Sequence, residues 1–171
     1  MADDRVRHSF LSEQTTGGLL AGHSDPWRWN RAIAWSGFCA GVLSGMFMGL
    51  WAFDGPLAPP AWIGGYGETA RRLFRLGHIA FFGIGLLNLA LARELTGLAL
   101  GAPARWIAAG AMNFANLCLP LLLIAAALVA PLKYLLPFPV VAALAALALA
   151  AWGAAKGTGQ TAPKWKRRIG E

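Results

Sequence analysis

Charged side chains are scarce in this sequence: Asp, Glu, Lys and Arg make up 13% of it, about half the usual share in a soluble globular domain. The scarcity is also uneven. No charge occurs between Ala32 and Phe53, and no Asp, Glu or Lys lies deep within any of the long apolar stretches. A proton pump or cation transporter is expected to carry buried carboxylates along its path, so their absence, with that of any internal repeat, disfavours a small transporter.

Cysteine is nearly absent. Cys39 and Cys118 both fall inside apolar stretches, at different depths, so they read as small buried residues and not as a disulfide framework. The patterns CxxC, CxxCH, HExxH, GxSxG and the phosphate-binding P-loop are all missing. Zinc peptidase, covalent-haem, serine-hydrolase and nucleotide-binding chemistry therefore have no signature here, and the chain is expected not to be an enzyme.

Long polar stretches are lacking too. Polar sequence is confined to an N-terminal segment, 1–30, three short connections and a basic tail, 156–171. Each is shorter than the ~50 residues of an independent soluble domain. The N-terminal segment has no apolar signal-peptide core, so the first apolar stretch is expected to act as its own uncleaved membrane signal. Myristoylation and prenylation sequences are not found either.

What remains is apolar: 57% of the residues are hydrophobic. Four stretches, roughly 32–53, 73–95, 106–130 and 135–155, are each long enough to cross ~30 Å of hydrocarbon at about 1.5 Å per residue. The predicted fold is an all-α integral membrane protein with four transmembrane helices in an up-down bundle. An even number of spans puts both termini and the middle connection on one side. That side carries Arg5, Arg7, Arg28, Arg31, Arg93, Arg105, Lys156 and the 164–168 cluster; the other carries Arg71, Arg72, Arg75 and Lys133. The imbalance predicts cytoplasmic termini in a bacterial-type inner (plasma) membrane. The net charge of +7 is thus an orientation signal, and no nucleic-acid partner is expected. Trp27, Trp29, Trp35, Trp51, Trp62, Trp106, Tyr134 and Trp152 all fall near expected span ends, where tryptophan and tyrosine prefer the headgroup level. The tail cluster Lys164-Trp165-Lys166-Arg167-Arg168 is expected to meet anionic lipid. His8 and His23 read as solvated surface residues.

Three features inside the spans ask for a physical reason. Gly37, Gly41, Gly45 and Gly49 repeat at four-residue spacing in the first span. Helical glycine costs about 1 kcal/mol relative to alanine, so the stripe predicts close approach of another backbone or a flat ligand. Its length favours a permanent partner helix from another subunit.

His78 is the only span histidine, placed about level with Met48 and on one face with Arg71 and Arg75. A neutral ring nitrogen can ligate haem iron, with Met48 as second axial ligand and the arginines on the propionates. The same group can instead hydrogen-bond a quinone. Satisfaction by a backbone carbonyl is the simpler alternative.

Asn88, Asn113 and Asn116 form the third feature, Asn88 lying about level with Asn113. They suit interhelical hydrogen bonding or a polar pocket for a quinone or lipid headgroup. Pro120 is expected to kink the third span and free the Asn116 carbonyl. Together these features predict an accessory subunit of a larger membrane complex, preferably an energy-transducing one, with other membrane subunits as partners. The alternative is a cytochrome-b-like haem-binding or quinone-binding protein using His78.

Overall fold

The apolar stretches become four helices in the computed structural model, which describes residues 27–52, 55–65 and 67–157. They are α1 (Arg28–Gly49), α2 (Thr69–Glu94), α3 (Ala102–Leu128) and α4 (Pro137–Ala155), with a 3-10 turn, Ala130–Leu135, leading into α4. All four crossing segments, the last including the 3-10 turn, are long and apolar enough to span a membrane. Among the described residues there is no strand. The chain is an all-helical, multi-pass membrane protein. The readings made for His8, His23 and the 164–168 cluster lie outside the described residues.

Sequential helices run antiparallel. Gly41 of α1 meets Phe82 of α2 and Gly45 meets His78, while Gly77 of α2 meets Ile124 of α3. The most extensive contact is α2 with α3; α1 packs mainly on α2 and less on α3, and α4 rests on α3. The bundle therefore has a tight three-helix core, with α4 leaning on one side of it.

Two clusters close the ends. Where the chain termini emerge (the terminal end), Trp27, Leu91, Leu95, Ala108, Met112 and Ala146 pack together. Trp27 is tilted against Trp106 at 5.1 Å between ring centroids. At the far end, Trp51, Ile63 and Phe74 form a second cluster with Met48 and Ile124 beside it. Ile63 belongs to the 50–68 connection and is fully buried, so this connection folds back onto the helix ends. A turn at Gly64, whose φ is +64°, supports that path, because positive φ suits glycine.

Helix starts differ from the hydropathy reading by several residues. Hydropathy places Asn30 in the polar N-terminal segment, yet α1 begins at Arg28 and Asn30 is buried in it. Polarity was the misleading signal: an amide with partners on two other helices belongs inside. Pro103 lies in the first turn of α3, Pro137 opens α4, and proline is well suited to such positions because its missing N–H has no helical partner there.

Candidate functional site

The intramembrane polar groups fall into two sites. The first is a closed ring of amides near the terminal end. Asn30 Nδ2 donates to Asn88 Oδ1 at 2.8 Å. Asn88 Nδ2 donates to Asn113 Oδ1 at 3.0 Å, and Asn113 Nδ2 returns to Asn30 Oδ1 at 3.2 Å. The second hydrogen on Asn30 Nδ2 goes to the Ala109 carbonyl at 3.1 Å. One residue comes from each of α1, α2 and α3, so the ring ties the whole three-helix core. Amides buried in an apolar medium are costly unless paired, and each of these three both donates and accepts.

Asn116 stays outside the ring. It is buried, and neither its Oδ1 nor its Nδ2 has a hydrogen-bond partner among the described residues. The three-residue offset from Asn113 turns its amide toward α1, where both polar atoms lie 3.6 Å from the position a Cβ on Gly37 would take. The glycine leaves space for the amide but supplies no side chain to bind it. Of the three asparagines expected together, Asn88 and Asn113 do bond across α2 and α3, Asn116 stands apart, and Asn30 completes the ring.

The second site lies toward the far end, between α1 and α2. His78 Nδ1 is 2.9 Å from the Gly41 carbonyl and 3.1 Å from Ser44 Oγ. Ser44 Oγ itself donates to the same carbonyl at 2.8 Å. A carbonyl only accepts, so Nδ1 carries a hydrogen, and a neutral ring then keeps its lone pair on Nε2. Nε2 has no hydrogen-bond partner among the described residues.

The imidazole reaches this position because of the glycine stripe. His78 and Phe82 are one helical turn apart on α2, matching Gly45 and Gly41 on α1. The ring edges lie 2.7 Å from where Cβ atoms on those glycines would stand. Phe38 of α1 enters the reciprocal notch at Gly85 of α2, 2.6 Å from its ideal Cβ. Gly41 and Gly45 are therefore covered by this chain's own rings and Gly37 by the Asn116 amide, so these three positions serve contacts of α1 within the bundle. Of the four stripe glycines, Gly49 alone has nothing within 4 Å of its would-be Cβ.

Gly49 instead lines a cavity of about 240 Å³ together with Gly45, Met48, Trp51, Ala52, Arg71, Arg75 and His78. His78, Met48, Arg71 and Arg75 thus share one space. His78 faces Gly45, three residues from Met48 on α1 and within a turn of the level expected from the span ends. No group of three or more His, Cys, Asp or Glu side chains able to hold a metal occurs among the described residues.

No family model matches the chain, and no curated protein or solved structure is similar to it.

Proposed function

We propose that the chain is a non-catalytic accessory subunit of a larger membrane assembly, within an energy-transducing system, and that its partner helix lies between α2 and α4. The observation that carries this reading is the open corner of the bundle. Because α4 rests on α3, a groove of about 290 Å³ runs between Leu87, Ala90, Leu91 and Glu94 on one side and Leu147, Ala150, Ala151 and Ala154 on the other. Its alanines, Ala90, Ala150, Ala151 and Ala154, admit close approach of a helix between the flanking leucines, and such packing drives helix association inside a bilayer. The Glu94 carboxylate at its terminal-end rim matches a partner with a basic residue at that depth.

A photoreactive residue at Ala151 tests the proposal against one at Ala145, on the opposite side of α4. The expected result is a discrete covalent adduct to one co-purifying polypeptide from Ala151 and none from Ala145, abolished by Ala150→Leu with Ala154→Leu. Equal labelling from both positions, or adducts to lipid alone, would remove the groove as an assembly face.

A second reading, a quinone or haem b at His78, draws support from the cavity that His78 shares with Met48, Arg71 and Arg75. The Nε2 lone pair suits an axial metal ligand. Against a macrocycle stand the contact of the imidazole with Gly45 and a volume of about 240 Å³, below the roughly 300–1,000 Å³ of small-molecule sites. A quinone carbonyl wants a donor, and a neutral ring offers Nε2 as an acceptor, so a hydroxyl is the better match. The isolated protein is expected to be colourless. A stoichiometric Soret band lost in His78→Ala would establish the haem reading instead.

A further inference from the structure

The contact between α3 and α4 leaves a groove of about 390 Å³ toward the far end of the bundle. On α3 it follows Phe114, Cys118, Leu121, Leu122 and Ala125, a spacing that keeps to one helical face. Leu135, Phe138 and Pro139, where the 3-10 turn leads into α4, form its lip. From Phe114 to Ala125 the helix rises by about 16 Å, roughly half of the ~30 Å hydrocarbon core. The groove thus runs from the far-end rim to the middle of the bundle, the depth of one lipid leaflet. Its walls are bulky. Phe114, Leu121 and Phe138 are exposed along it, and its lining has no glycine, serine or threonine. A helix approaches closely only over small residues, as in the alanine groove between α2 and α4. A flexible hydrocarbon chain can thread between large side chains and gains dispersion contacts from both helices.

The rim adds a cation. Lys133 and Tyr134 lie on the same 3-10 turn as Leu135, and both are exposed. Lys133 Nζ stands 5.2 Å from the centroid of the Tyr134 ring. That contact steadies the ammonium without neutralising it, because the ring carries a quadrupole and no net charge. No carboxylate pairs with Lys133 among the described residues. Lysine and tyrosine at a span end sit at the headgroup level. An apolar slot one leaflet deep beneath a cation is the complement of an anionic lipid. We propose that this groove binds one acyl chain of an anionic phospholipid, the chain lying along α3 from Ala125 to Phe114 and the headgroup at Lys133. It shares no residue with the groove between α2 and α4 and does not rest on the assembly role.

Photolabelling of the full-length protein in phosphatidylcholine vesicles tests this. The probes are phosphatidylglycerol and phosphatidylcholine, each with a diazirine at the end of one acyl chain, and adducts are located by peptide mass spectrometry. Cys39 is the control, exposed on α1 and about level with Cys118, since Gly37 of α1 faces Asn116 of α3. Packing thereby removes the depth difference expected of the two cysteines. Labelling around Phe114 and Cys118 should exceed that around Cys39 several-fold. Cys118→Trp and Ala125→Phe, which fill the groove at its middle and its mouth, should each abolish the excess, with thermal unfolding confirming that the fold is intact. Phosphatidylglycerol should label the groove about fivefold more than phosphatidylcholine, the weight of one basic residue beside an anionic lipid, and Lys133→Gln should equalise the two. Groove labelling no higher than that around Cys39, or unchanged in both filled variants, would overturn the site. Equal labelling by the two probes in wild type would overturn the anionic headgroup. Capture of a polypeptide by a photoreactive residue at Leu121 in native membranes would put a partner helix in place of the lipid.

Discussion

His78 occupies the space that a side chain on Gly45 would need: its Cε1 lies 2.7 Å from that ideal Cβ position. The glycine stripe and the single span histidine, two separate features of the sequence, are one feature of the fold. Glycine removes the wall, and the imidazole comes near enough to α1 for Nδ1 to reach the Gly41 carbonyl.

Gly45→Ala is expected to destabilise the protein by about 1–3 kcal/mol, the usual cost of overpacking a closed contact. Gly49→Ala, with nothing near its would-be Cβ, should leave stability unchanged or raise it by up to about 1 kcal/mol. Thermal or denaturant unfolding in mixed micelles reads the difference. Equal effects at the two positions would mean that α1 and α2 are not in register as described.

The amide ring predicts non-additive mutations. Asn88→Leu leaves a donor on Asn30 and an acceptor on Asn113 without partners, at a cost of about 1–3 kcal/mol for each orphaned group. Adding Asn113→Leu to Asn88→Leu should cost less than the sum of the single changes, with a coupling of about 0.5–3 kcal/mol. Strict additivity in a double-mutant cycle would show that the three residues do not act as a unit.

Asn116 should behave in the opposite way. Its buried amide has no partner among the described residues, so Asn116→Leu removes an unmet polar group and is expected to stabilise the fold by about 1–3 kcal/mol. Destabilisation of that size would reveal a partner for the amide, such as a bound water.

Orientation in the membrane has its own test. In a background lacking Cys39 and Cys118, single cysteines at Gly65 and Thr158 should react with an impermeant reagent from opposite sides. Thr158 should be reached from the cytoplasmic side, as the distribution of basic residues predicts. Labelling of both from one side would break the four-span topology.

Span number and the antiparallel order were legible because apolar length is a coarse signal that survives errors of a few residues at each end. Asn30 was not legible. It lies three positions after Trp27 in a polar neighbourhood, and only its partners on α2 and α3 mark it as interior. The destination of the glycine stripe was hidden for a related reason. Four-residue spacing says that something flat comes close, but the rings that fill it, His78 and Phe82, carry the same spacing on a helix that must first be docked antiparallel. The cavity residues on α2 were readable from helical periodicity alone, since Arg71, Arg75 and His78 share a face. Their depth relative to Met48 was legible to within about a turn, which is the resolution that span ends allow.

A head-to-tail ring of three amides can circulate in either sense, since turning every amide over exchanges each donor for an acceptor. The Ala109 carbonyl breaks that symmetry. It sits 3.1 Å from Asn30 Nδ2, and a flipped Asn30 would set its own oxygen against that carbonyl. One backbone atom of α3 thereby selects the direction of polarity for side chains on three helices, and the core has one hydrogen-bonded arrangement where it would otherwise have two.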